Sequence, residues 1–246
     1  MKNIIIFGAN SAIAKECVNL WSGKNNFYLI VRDKTKFDKF AAKLKIKNHG
    51  FVKIIEADLS NFNLHSQIWT QIINDKDIKK IDVLFLAQGK LENQITIQDN
   101  FNLIHENIKI NVLSVISIIT LATKTFEKQR EGTIAVISSI AGDKGRSSNY
   151  IYGSSKAMLS CFLSGLRQRF SKSNVNILTI KPGIINTPMT KDLKKSFLST
   201  SPKNAAKLIV KSIDKKKNVI YVPFFWLFIV LIIKLIPEKI FKKLSL

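Results

Sequence analysis

Tyr152 and Lys156 stand four residues apart in Tyr152-Gly153-Ser154-Ser155-Lys156, within a stretch of helical periodicity. That spacing puts both side chains on one helical face. An ammonium beside a phenol lowers the phenol's pKa from about 10, so the hydroxyl can exchange protons near neutrality. The pair then supplies a general acid for reducing a ketone, or a base for the reverse. Just upstream, Ile137-Ser138-Ser139 ends a strand-like run, and a serine hydroxyl there can hold and polarise a carbonyl oxygen. Tyrosine and lysine on one helix are ordinarily plain surface residues; with strand-end serines and a nucleotide-type turn, chemistry becomes the stronger reading.

That turn is Gly8-Ala9-Asn10-Ser11-Ala12-Ile13-Ala14, lying between an apolar strand pattern and a helical one. Such a turn aims helix N–H groups at a pyrophosphate, and small residues let the backbone approach closely. Only Gly8 is glycine among the three usual small positions; Ala12 and Ala14 take the other two, so the motif alone is weak. After the second strand come Arg32 and Asp33. An acidic residue there takes ribose hydroxyls, whereas an arginine suits a 2′-phosphate. Arg32 tips the preference to NADPH and Asp33 leaves NADH open; a plain surface arginine is the competing reading. Asp58, followed by Leu59 after the third strand, could accept from an adenine amino group or cap a helix.

These residues need a scaffold that brings strand ends and helix starts together. Strands are expected near 3–8, 26–31, 51–56, 81–86, 132–138, 175–181 and 218–222. Helices are expected near 12–22, 34–45, 62–75, 103–129, 150–171 and 202–213. Continuous apolar strands such as Val83-Leu84-Phe85-Leu86 suit a sheet covered on both faces. Regular βα alternation makes this an α/β chain, a Rossmann-like doubly wound parallel sheet of about seven strands in one domain, residues 1–222. The remainder, 223–246, breaks the pattern. The apolar run Val219–Ile233 holds Pro223, Phe224, Phe225 and Trp226, and Lys234, Lys239, Lys242 and Lys243 follow. Fifteen residues fall short of the roughly 20 that span a bilayer. An interfacial membrane anchor is the preferred reading, against a dimer interface or a helix over the substrate pocket.

The 246 residues, 46% of them hydrophobic, suffice for one well-cored domain. Cys17 and Cys161 lie in apolar helical patterns and read as buried free thiols; no disulfide or metal site is expected, in keeping with a reducing cytoplasm. The chain opens on a strand, so no cleaved leader is expected. Lys+Arg 39 against Asp+Glu 17 gives +22. That charge attracts anionic lipid or substrate, but the lysines are dispersed, which a lysine-rich proteome also produces. Without a basic platform of stacking aromatics, nucleic acid is not an expected partner.

With these motifs the chain resembles classical short-chain dehydrogenases/reductases over about residues 1–222. The resemblance selects Ser139, thirteen positions before Tyr152, over Ser138. It matches Asn111 to the asparagine that holds a water linking Lys156 to solvent, completing a catalytic set of Asn111, Ser139, Tyr152 and Lys156. It implies that Lys181-Pro182-Gly183-Ile184-Ile185-Asn186-Thr187 lies at the nicotinamide, with Ile184 and Thr187 touching it. Tyr152 and Lys156 would also contact the cofactor. The family's Asn-Asn-Ala-Gly reads Leu86-Ala87-Gln88-Gly89 here, a departure bearing on cofactor affinity; Ala87 and Gly89 keep the cofactor-side places. A homo-oligomer built on the two long helices is likewise implied.

Within the family, the turn, Ser-Ser-Ile-Ala-Gly-Asp-Lys-Gly-Arg, Asn-Tyr-Ile-Tyr-Gly and the apolar-then-basic tail are similar to reductases of decaprenylphosphoryl 2-keto-erythro-pentose. These complete the epimerisation of lipid-linked ribose to arabinose, a cell-envelope step. The implied reaction is NADPH- or NADH-dependent reduction at C2 of a polyprenylphosphoryl 2-keto-pentose, at the cytoplasmic face of the membrane, with a flavin oxidase as partner. Lys144 and Arg146, in the loop between Ser139 and Tyr152, could meet the lipid phosphate, or be solvated loop charges. The alternatives are reduction of another apolar ketone, 3-oxoacyl, sphingoid or sterol, and a cofactor-binding scaffold for a partner oxidase. The complete catalytic residues count against the scaffold.

Overall fold

The computed structural model describes residues 1–191 and 197–244. Its elements run β1 (Asn3–Phe7), α1 (Ala12–Trp21), β2 (Asn26–Val31), α2 (Asp38–Lys47), β3 (Val52–Glu56), α3 (Asn63–Ile73) and β4 (Val83–Leu86). Then come α4 (Gln94–Gln98), α5 (Phe101–Ile108), a π-type turn (Lys109–Leu113), α6 (Ser114–Gln129) and β5 (Glu131–Ile137). The rest is α7 (Tyr150–Arg169), β6 (Asn174–Pro182), α8 (Pro202–Asp214), β7 (Val219–Val222), α9 (Trp226–Leu235) and α10 (Glu238–Phe241).

The seven strands form one parallel sheet in the order β3-β2-β1-β4-β5-β6-β7. The strand period of two explains why β1 is apolar throughout. Ile4 and Ile6 join a core with α1, α2 and α8, while Ile5 and Phe7 join another with α3, α6 and α7. Helix α1 buries Ile13, Ala14, Cys17, Val18 and Trp21, one face at helical spacing. Helix α8 starts on Ser201, whose hydroxyl accepts from the Asn204 N–H, with Pro202 in its first turn.

Phe101–Gln129 is long and apolar enough by composition to cross a membrane. Val115, Ile118, Ile119, Ala122 and Phe126 pack it against the sheet, so it is a core helix.

Three local expectations change. Helix α2 begins at Asp38, not near 34, because the Asp33 carboxylate accepts from the Thr35 hydroxyl (2.6 Å) and the Lys36 N–H (3.1 Å), stabilising a turn. Asp58 does not cap a helix: it accepts from the Ser60 N–H at 2.9 Å, and α3 starts five residues later. Cys17 is buried, but Cys161 is exposed on the outer side of α7.

The chain leaves the sheet through a cis Val222–Pro223 bond into α9. Trp226 and Val230 turn inward onto Ile140, with Ile184 and Tyr221 beside them. Phe224, Phe225, Phe228, Leu231, Ile232 and Leu235 are exposed.

Candidate active site

The sheet order reverses between β1 and β4, so the turns after these two strands meet at a crevice, the usual ligand position in this architecture. Gly8 has φ +74°, and a Cβ there would fall 2.5 Å from the Gln88 backbone nitrogen. Only glycine allows that approach. Ser11 makes no side-chain cap, so the first N–H groups of α1 present the positive end of the helix dipole to this crevice. Asn10, Ser11 and Ala12 lie along the turn, with Ile13 buried beneath. The cradle and uncapped helix start fit a dinucleotide pyrophosphate. Arg32 is exposed at the end of β2, with its charge acting on Asp58. Leu59 is buried, and its carbonyl is held by the His65 ring at 3.1 Å.

Further along the strand ends lies the proton chemistry. Ser138 turns towards α7, bonding the Lys156 carbonyl (3.1 Å) and the Ser160 hydroxyl (2.8 Å). Ser139 accepts from the Ala141 N–H at 3.1 Å and lines the cleft together with Tyr152, whose hydroxyl it pulls towards a lower pKa. Lys156 is buried; its ammonium donates to the Ile137 carbonyl at 3.2 Å and lies 5.6 Å from the Tyr152 ring centre. Asn111 sits in the π-type turn, a helical irregularity frequent at functional sites. Its side chain accepts from the Lys90 N–H (3.0 Å) and donates to the Lys90 carbonyl (2.8 Å). A Cβ on Gly89 would stand 3.0 Å from Asn111 Oδ1 and 3.5 Å from Lys156 Nζ, so these two groups converge there.

The expected drop in the Tyr152 pKa is reversed. Burial raises it to about 12 against the opposing Ser139 hydrogen bond, and burial lowers Lys156 to about 8. Desolvation is the largest cause at both groups.

The family profile described as short chain dehydrogenase matches residues 2–197. The chain belongs to the short-chain dehydrogenase/reductase family. As a member it is an NAD(P)-dependent oxidoreductase. It is 24% identical over 241 residues to an uncharacterized oxidoreductase of Mycobacterium tuberculosis, covering 98% of this chain and 96% of the relative. It is 27% identical over 194 residues to carbonyl reductase family member 4 of Xenopus laevis, covering 79% and 80%. A short-chain dehydrogenase from Sphingobium yanoikuyae, solved with NADPH, shares the fold at TM-score 0.79 and 19% identity, covering 91% and 88%.

In this oxidoreductase, Leu91, Ile137, Ile140, Ala141, Ile184, Ile185 and Met189 line an apolar cleft with Ser139 and Tyr152 on its wall. Pro182, Gly183, Ile184 and Thr187 border the same cleft. The Thr187 hydroxyl lies 3.3 Å from that of Thr190.

Several residues escaped the sequence reading. Asn107, buried one turn before Asn111, accepts from Asn111 (2.9 Å) and from Ser155 (3.3 Å); its four-residue spacing was the available signal. Trp226, which the sequence places in the tail with a helix over the substrate pocket as one reading, lies flat against Gly183, where a Cβ would meet the indole nitrogen at 1.9 Å. Asp143, its side chain 5% exposed, binds Lys181 (2.6 Å), Tyr221 (3.2 Å) and Lys234 (3.4 Å), tying the loop after Ser139 to α9. Burial and the Asp143 charge raise the Tyr221 hydroxyl to about 12. Lys144 does not stand free towards substrate: it pairs with Glu238 at 2.8 Å and lies over the Phe241 ring. Arg146 lines the cleft.

Proposed function

We propose that this enzyme uses NADPH to reduce the ketone of a lipid-borne substrate, a polyprenylphosphoryl 2-keto-pentose, at an anionic membrane surface. The observation carrying this reading is an apolar cleft lined by Ser139, Tyr152 and Arg146, with a tail packed behind its Gly183 and Ile140 whose outer face is apolar and basic. The preference for NADPH rests on β2, where Asp33 is occupied by Thr35 and Lys36 while Arg32 is exposed for a 2′-phosphate.

The bound nicotinamide supplies the hydride. Ser139 holds the carbonyl oxygen and polarises it. Tyr152, protonated throughout the neutral range, gives its proton to the oxygen as negative charge develops there. The Lys156 ammonium stabilises the resulting phenolate, and Asn111 and Asn107, bonded in series beside it, support the return of a proton. The cleft's apolar walls exclude water from this exchange.

The exposed face Phe224, Phe228, Leu231, Ile232 and Leu235 would enter the headgroup boundary of the inner leaflet, with Lys239, Lys242 and Lys243 near anionic lipid. Ten residues of α9 suit lying in that plane. A second reading, reduction of a 3-oxoacyl chain or another apolar ketone, is favoured by the same cleft lining and by the carbonyl reductase relative.

The test follows NADPH absorbance with polyprenylphosphoryl 2-keto-pentose in detergent, with Tyr152→Phe as control. Tyr152-dependent formation of the arabinose lipid is expected. Turnover of 3-oxoacyl substrates alone would replace the keto-sugar by the second reading.

A further inference from the structure

Arg146 sits where two concavities meet. It lines the cleft together with Ser139, Asn149 and Tyr152, and it also borders a smaller hollow with Ser147, Phe241, Lys242 and Leu244. Its guanidinium is half-buried, and its Nε–H is buried with no hydrogen-bond partner among the described residues. Burial disfavours the charged form, and Asp143 opposes that only in part. Asp143 is already held by Lys181 and Lys234. Among the described residues, no carboxylate lines either concavity. Lys144, the other loop cation, is drawn away to Glu238 and Phe241. Among the described residues, Lys242 of the tail is the cation that shares the hollow with Arg146.

A guanidinium presents a rigid fork of donors that matches phosphate oxygens, and partial burial strengthens each charged hydrogen bond. We propose that Arg146 and Lys242 form an anion subsite for a phosphate ester borne by the substrate, next to the ketone site. Loop and tail then contribute one cation each. The assignment rests on the cleft being the ketone site. Phe241 and Leu244 flank the subsite and offer the ester's apolar chain a surface continuous with the tail.

Tryptophan fluorescence of the full chain, saturated with NADP+, can be titrated with geranyl phosphate and with geraniol. Geranyl phosphate is expected to bind at least about tenfold more tightly, and Arg146→Gln to remove about tenfold of that affinity. Lys242→Gln is expected to remove about threefold, while geraniol binding is unchanged in both. Arg146→Lys should recover part of the loss, and Lys47→Gln, which deletes an exposed charge lining neither concavity, should match wild type. Equal binding of phosphate and alcohol, or an Arg146→Gln variant with the wild-type ratio, overturns the subsite. Displacement by inorganic phosphate at equal concentration would make free phosphate the ligand and overturn the substrate-borne ester. Because binding is read without turnover, geranyl phosphate affinity in a protein that reduces no ketone supports the subsite while removing the reductase reading.

Discussion

At Tyr152 two effects oppose each other: withdrawal from water raises the phenol to about 12, and the Ser139 hydrogen bond pulls it back. A phenol so placed keeps its proton at neutrality and yields it to a stronger base. The alkoxide emerging from a reduced carbonyl is such a base, in keeping with the proposed reduction. Tyr152→Phe is therefore expected to lower kcat by about two to four orders of magnitude while NADPH still binds, as single-turnover and fluorescence measurements would show. Lys156 sets the alkaline limit. Its ammonium persists below about 8 and is lost as pH rises through that value. The kcat/KM for ketone reduction should be level below about pH 8 and fall above it. Alcohol oxidation, which needs the phenolate beside the Lys156 ammonium, should rise with pH towards about 8 and level off above it. A reduction profile flat to pH 10 would remove Lys156 from the proton path. This part of the site was legible because Tyr152 and Lys156 share a helical face by spacing alone. The direction of their pKa shifts was not, because burial is set by the tertiary fold.

The turn after β1 shows what an element demands of one residue. Ala14 is buried inside α1, a conformation open to any small side chain, so glycine is not required there. Gly8 combines left-handed φ with contact on the Ala87–Gln88 backbone. Gly8→Ala is expected to cost about 1–3 kcal/mol in backbone strain. Moving the crossing of β1 and β4 should also weaken NADPH binding, both readable by thermal unfolding with and without cofactor. Counting glycines made this motif look weak, whereas the geometry requires only one. The strands and most helices were legible from local periodicity; the start of α2 was not, because Asp33 redirects the chain into a turn. The Asp143–Lys234 contact joins residues 91 apart, and the Trp226–Gly183 packing joins separate elements. No periodicity encodes pairings that only the finished sheet brings together.

Over the whole molecule, α9 works in two directions. Its inner side places Trp226 on Gly183 and Val230 near Ile140, and Lys234 completes the Asp143 cluster. Its outer side carries the edge-to-face pair Phe224–Phe228, with ring centres 5.3 Å apart, and exposed Leu231, Ile232 and Leu235. An anchor merely appended to the enzyme could be removed without touching the chemistry. Here removal of residues 223–246 would uncover Ile140 and Ile184 and strip Lys234 from Asp143 and Glu238 from Lys144. Turnover of a small water-soluble ketone by the truncated chain is therefore expected to fall by about tenfold or more, since about 1.4 kcal/mol of lost positioning suffices. Substitutions on the outer side should separate the two roles. Phe228→Ser with Leu235→Ser is expected to keep soluble-ketone turnover while reducing co-sedimentation with anionic vesicles. Each apolar side chain taken from water contributes about 1.5–3 kcal/mol when fully buried. Added salt should weaken retention further, because the lysines act through screened charge. If truncation left soluble turnover intact, α9 would act outward only. If the double variant stayed on vesicles as well as wild type, the exposed face would serve some contact other than lipid.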